Sequence, residues 1–274
     1  MVRFVAPVWE NDVMFWSIHA AKGGAGASVI AAALALELAQ REPWATRHGI
    51  ILIDFGGDQP DILGVDVERR YGVADWLTSP DPVEVSALEG LLVPVQAGLS
   101  LLPVGRSELT NDVGSVDPGR VAELVNGLGE MGTVVADLGV IGSDATSPRA
   151  LIGAASTRGT LVVRPCYLAL RRATRLPISV DSVVEVFEDG RALRTLDVEA
   201  VIQMAVSARV RVDPAIARAV DSGTLVSRRP RGLRRFVQDM VAEFEDGRND
   251  IGAFVAETGR RRNLIPVAGR VDSW

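Results

Sequence analysis

Short runs of apolar, β-branched residues alternate along the chain with longer stretches whose apolar positions recur at helical spacing. That alternation predicts parallel strands joined by crossover helices. Residues 13–19 read as a first strand, followed by a glycine turn and a helix over about 28–41. Residues 49–54 form a second apolar run that ends on an aspartate, Asp54. Residues 91–95 and 99–104 flank Gln96, Ala97 and Gly98 as a hairpin or two short strands. Residues 117–129 read as a helix, with Asp117 at the N-cap and Pro118 at the first helical position. Residues 133–137 predict another buried strand ending in Asp137, and 160–164 a further one. A helix is expected over 168–184, kinked or divided at Pro177, and a last core strand over 199–203. Asp213 and Pro214 open a helix to about Val220, and 230–245 supplies a closing helix. The expected fold is α/β, a doubly wound, mainly parallel sheet flanked by helices. No repeat or linker divides it, so 13–246 reads as one domain between an N-terminal extension, 1–12, and a basic tail, 247–274.

Length and composition sharpen this picture. A chain of 274 residues is long enough for a buried core, and 47% hydrophobic with 23% charged residues excludes disordered, collagenous and disulfide-scaffold classes. A single cysteine, Cys166, forms no internal disulfide, which points to a reducing, cytoplasmic setting. Glu10 and Asp12 interrupt any signal-peptide core, and the longest apolar run, 29–36, is too short to span a bilayer. The net charge of -6 is uneven: residues 205–274 hold 13 basic and 9 acidic side chains, with Arg228, Arg229, Arg231, Arg234 and Arg235 clustered. That cluster reads first as the solvated face of a helix and second as a surface for phosphate, as in non-specific DNA, or for an anionic membrane.

Of 29 basic residues only one is lysine, Lys22, and it stands beside Gly23, Gly24 and Gly26. A glycine-rich turn from a buried strand into a helix exposes backbone N–H groups at the positive end of the helix dipole, a cradle for phosphate. Glycine suits it because a Cβ would hold the backbone away from the anion. Outside this segment the chemistry is thin. Cys166 has no partner histidine nearby in sequence and reads as a packed thiol. His19 reads as a core or loop histidine sooner than as a nucleotide neighbour, and His48 as a surface residue. Trp9, Trp16, Trp44, Trp76 and Trp274 show no stacking pattern, and Asp144, Asp181 and Asp189 read as solvated.

The segment Lys22-Gly23-Gly24-Ala25-Gly26-Ala27-Ser28 resembles the deviant phosphate loop of the ParA/MinD family of P-loop ATPases. The resemblance continues in order through 51–54, 101–105, 134–137, 154–157, 161–165 and 212–223, and covers roughly residues 13–245. It implies a P-loop NTPase fold with ATP or ADP and Mg2+ held by Lys22, Gly23, Gly24, Ala25, Gly26, Ala27 and Ser28. It places Ser28, Asp54 and Asp137 at the metal, and assigns Lys22, Asp54 and Asp58 to catalysis, with Lys22 reaching the partner's phosphates across a homodimer. Two positions depart from the family pattern: Ala27 replaces the second lysine, and Gly56 replaces the second aspartate of the switch, for which Asp58 or Asp61 is a candidate substitute. The loop form is similar to the degenerate branch containing CpaE/TadZ and septum site-determining proteins. The resemblance therefore implies weak nucleotide binding and weak or absent ATPase activity. It implies a homodimeric switch that recruits a protein cargo or localisation partner and is itself recruited to nucleoid, pole or membrane. Pro266 and Gly269 interrupt the tail as an amphipathic membrane helix, so stable membrane insertion is not expected. Two alternatives stand beside it: a slow but active ATPase, and a nucleotide-independent scaffold for DNA or protein.

Overall fold

The structure, a computed structural model, describes residues 14–41, 48–67, 70–107 and 116–242. The extension 1–12, the tail 247–274, and Trp9, Trp44 and Trp274 lie outside the described residues. In chain order the elements are β1 (Phe15–Ala20), α1 (Ala27–Leu38), β2 (Ile50–Asp54), α2 (Gln59–Leu63), α3 (Val73–Thr78) and a 3-10 turn (Val85–Leu91). There follow β3 (Val93–Gln96), β4 (Leu99–Leu102), α4 (Pro118–Met131), β5 (Thr133–Val140) and α5 (Pro148–Ala155). The chain continues through β6 (Arg158–Val163), α6 (Tyr167–Ala173), β7 (Ser182–Phe187), α7 (Thr195–Ile202), β8 (Ala208–Arg211) and α8 (Pro214–Asp221). A closing helix covers 231–242.

The eight strands form one sheet in the order β3-β4-β2-β5-β1-β6-β7-β8, parallel throughout except for β3 against β4. This is a doubly wound sheet with helices on both faces. The chain leaves β1 for β2 on one side and later crosses to β6 on the other. Such a reversal opens a crevice at the carboxyl ends of the strands, where α/β proteins bind ligands. The central strands are buried throughout, as continuous apolar runs in a parallel sheet require. The hairpin forms as predicted, with Gly98 at φ 75° in its turn, and Asp117 caps α4 by accepting from the Gly119 N–H at 3.2 Å.

Two expectations are corrected. The stretch 168–184 is not a helix but α6 followed by β7, because Pro177 has no N–H to continue the helix and Val183 and Val184 are both β-branched and buried. Residues 199–202 belong to α7, which Gln203 caps, and its buried positions Val198 and Ile202 are one helical repeat apart. The last strand is β8 instead, with Val210 facing inward between exposed Arg209 and Arg211.

Helix α1 is enclosed by the sheet and the closing helix, and its Ala-rich sequence allows that close approach. Its one buried charge, Glu37, accepts from Arg229 at 3.3 Å and lies 3.6 Å from Arg41. Arg229 is thereby withdrawn from the basic cluster and serves as a tie to α1. Breaking a buried pair strands a charge, but Arg41 remains beside Glu37 to offset it. Arg229→Met should therefore lower stability by about 1–2 kcal/mol. Denaturant unfolding should also show that adding Glu37→Leu recovers most of the loss.

Candidate functional site

The loop after β1 turns on two glycines in the left-handed region, Gly24 at φ 77° and Gly26 at φ 94°. Gly26 is also the N-cap of α1, which begins without a side-chain cap. The first amides of α1 thus face outward at the positive end of a 12-residue helix. Above them lies a cavity of about 470 Å3. All seven loop residues, Lys22 through Ser28, line it, and across it stand Gly56, Asp58, Asp61, Gly139 and Arg149. Lys22 is half-buried and its Nζ donates to the Gly23 carbonyl at 3.4 Å. Asp58 and Asp61 are both exposed at the rim.

At the floor, the parallel register of β2 and β5 sets Asp54 beside Asp137. Both are fully buried. Asp54 Oδ1 accepts from the Gly56 and Gly57 N–H groups at 2.9 and 2.7 Å, and Oδ2 from the Gln59 N–H at 3.2 Å. Asp137 accepts from Gln59 Nε2 at 2.7 Å, from the Gly139 N–H at 3.0 Å, and from the Ser28 hydroxyl. Burial, and then the neighbouring Asp137, raises the Asp54 pKa to about 7 despite three N–H donors. Burial likewise raises that of Asp137.

Gly56 sits over this pair. A Cβ built there would lie 3.7 Å from both Asp137 Oδ2 and Asp54 Oδ1, and 3.8 Å from Ser28 Oγ. The three oxygens therefore converge on a space that glycine leaves open. Hard oxygen donors around two buried carboxylates fit a divalent cation such as Mg2+. A second cavity of about 310 Å3 adjoins the glycine loop, sharing Gly24, Ala25, Gly26 and Val29 with the first. Its walls are mainly apolar, including Val186, Val212 and Ile216, with Arg164 and Asp213 among its polar groups.

The structure thus places the loop residues and both carboxylates together, and beside them Gln59 and Arg149, which the sequence does not single out. His19 is buried away from the cavity lining, with neither ring nitrogen hydrogen-bonded among the described residues. Cys166 caps α6, its Sγ accepting from the Ala169 N–H at 3.4 Å. Trp16 and Trp76 are buried, and each donates its indole N–H to a fixed acceptor. Among the described residues no helix is long and apolar enough to cross a membrane.

Strand order, glycine loop and paired carboxylates define a P-loop NTPase fold, and within that class the fold is that of ParA and MinD ATPases. The ParA family ATPase of Chlorobium tepidum is 22% identical, with a TM-score of 0.69 over 85% of this chain and 99% of that one. The septum site-determining protein MinD of Pyrococcus horikoshii, complexed with Mg-ADP, is 18% identical, with a TM-score of 0.64 over 86% of this chain and 98% of that one. A putative plasmid partition protein of Borrelia burgdorferi, bound to AMPPNP, is 15% identical, with a TM-score of 0.63 over 86% and 100% of the two chains. No protein-family profile and no curated protein sequence matches the chain.

Proposed function

We propose that this chain is a ParA/MinD-type positioning or partition protein, a nucleotide-responsive switch that binds ATP or ADP with Mg2+ at the glycine-lined cavity. The observation that carries the reading is the continuity of three features. An amide cradle at a helix N-terminus suits phosphate, the apolar slot beside it suits a nucleobase, and the oxygens of Ser28, Asp54 and Asp137 suit the cation. Two proteins on the same fold were solved with Mg-ADP and with AMPPNP, which supports the same class of ligand here. Bound Mg2+ would neutralise phosphate charge and act as a Lewis acid. Ser28, Asp54 and Asp137 would hold it, and Asp54 would also buttress the loop above. The glycine loop would orient the phosphates, and Lys22, at the rim of the cavity, would reach the phosphates of a second copy.

Hydrolysis is expected to be slow or absent. Position 27 carries no cation to offset charge in phosphoryl transfer, and position 56 carries no side chain over the metal site. This agrees with the degenerate branch resembling CpaE/TadZ and septum site-determining proteins. In that role the dimer would recruit a protein cargo or localisation partner, using residues 13–246 as its switching domain with 1–12 and 247–274 as appendages.

A titration of the purified full chain with Mg-ATP, with mass recorded at each step, tests the reading. Saturable binding that converts monomer to dimer is expected, and Lys22→Ala should bind nucleotide yet remain monomeric. No binding up to millimolar ATP would overturn it. One observation favours a second reading: Arg228, Arg231, Arg234 and Arg235 are exposed around the start of the closing helix. Salt-sensitive DNA binding that ignores nucleotide would favour a scaffold of that kind.

A further inference from the structure

Arg149 lies in the first turn of α5, where a helix favours anions over cations. Its guanidinium nonetheless turns toward the cavity, which it lines together with Ser28, Gly56 and Gly139. Its Nη2 donates to the Phe55 carbonyl at 2.7 Å and its Nη1 to the Val140 carbonyl at 3.4 Å. Those two carbonyls, at the ends of β2 and β5, fix the group at the metal end of the cavity, away from the apolar slot. Both partners are neutral, and Nε is buried with no partner among the described residues. Asp54 and Asp137 feel its charge but make no ion pair with it. A buried cation costs free energy unless an anion compensates it. Here Asp54 and Asp137 offset it only at a distance, and an anion in the cavity would be its first direct charged partner. Ala27, also lining the cavity, brings no charge of its own.

We propose that Arg149 binds the terminal phosphate of the nucleotide in cis and replaces the cation missing at position 27. This rests on the nucleotide reading above and adds to it a preference: Arg149 meets the third phosphate and so selects triphosphate over diphosphate. The order of parts along the cavity sets that assignment. The base slot adjoins Gly24–Gly26, the phosphates run along the loop to Ser28, and Arg149 stands beyond Ser28 with Gly56. The carbonyls of Phe55 and Val140 preorganise the guanidinium, so little side-chain freedom is lost on binding.

The test is fluorescence titration of the full chain with mant-ATP and mant-ADP in the presence of magnesium. The wild type should prefer mant-ATP. Arg149→Ala should weaken mant-ATP by roughly tenfold or more, the scale of one charge-assisted contact, and leave mant-ADP within about twofold. Arg149→Lys should keep most of the preference, and Arg149→Gln, which retains a donor for the Phe55 carbonyl without the charge, should lose it. The Gln variant carries the test if removal of the whole side chain prevents folding, and melting without nucleotide reports the fold of each. A wild type that binds both nucleotides equally overturns the proposal, and so does an equal loss for the two nucleotides or no loss in the Ala and Gln variants. A wild type that binds neither nucleotide overturns the nucleotide reading itself, a different result from binding without discrimination.

Discussion

Ala27→Lys should tighten Mg-ATP binding by roughly ten- to a hundredfold, the range expected of one charge-assisted hydrogen bond to phosphate. Ala27 is the first residue of α1 and lines the cavity directly. A lysine there would start beside the phosphates and need little rearrangement. Without nucleotide the new charge sits at the wrong end of the helix dipole, so the empty variant should melt slightly earlier than the wild type. With Arg149 already serving the terminal phosphate, the two cations should be coupled. Removing Arg149 in the Ala27→Lys background should cost less than removing it from the wild type. Isothermal titration of the four proteins measures both effects. Unchanged affinity for the single variant would mean that position 27 does not face the phosphates.

The second large effect belongs to Asp54. Its pKa is about 7 in the folded protein against 3.8 for the free side chain. Between those values the folded state holds a proton that the unfolded state has lost, so the contribution of Asp54 to stability falls as pH rises from about 4 to 7. The full loss is on the order of 4 kcal/mol. The groups around it are Asp137, which opposes its ionisation, Arg149, which favours it, and the neutral Gln59, whose N–H donates to it.

His19 acts in the opposite direction. Burial lowers its pKa from 6.5 to about 4, so its contribution to stability rises across that range. The wild-type curve is therefore flattened by cancellation, and the difference between wild type and Asp54→Asn isolates the carboxylate. Asn at 54 should gain relative to wild type by about 4 kcal/mol between pH 4 and 7 in denaturant unfolding without divalent cations. Added Mg2+ should narrow the gap, because the wild type offers it two buried carboxylates and the Asn variant only Asp137. A constant difference across the range would show that Asp54 titrates normally.

Much of this site was legible because its signals are local. The glycine loop is contiguous, and a strand that ends in aspartate, as at Asp54 and Asp137, announces itself in a few residues. Their convergence follows from sheet order, which strand-helix alternation constrains. Gln59 and Arg149 were not legible because tertiary geometry defines their roles: Gln59 reaches a carboxylate 78 residues away and Arg149 a carbonyl 94 residues away. A cue to Arg149 existed, since Ser147 and Pro148 mark a helix start and a cation in the next position runs against the dipole. The last two strands of the sheet were misread for a related reason. Val201 and Ile202 are β-branched but sit on a helix, where packing of Val198 and Ile202 on the core overrides local preference. In β8 the alternation of arginine and valine was present but short, and the neighbouring Met204 and Ala205 blurred it.

The two rims of the sheet bear on how the protein behaves when crowded. On one side β3 presents Pro94, exposed and lacking an N–H, to any incoming strand. On the other, β8 is four residues long and its outward positions are Arg209, held 3.0 Å from Glu185, and Arg211, paired with Asp189. Each rim thus resists the addition of a foreign strand, by a missing donor at one and by fixed charge at the other. If the chain has the positioning role proposed above, concentration along a surface or around a cargo would then favour contacts at the loop-bearing end over sheet-to-sheet fibres.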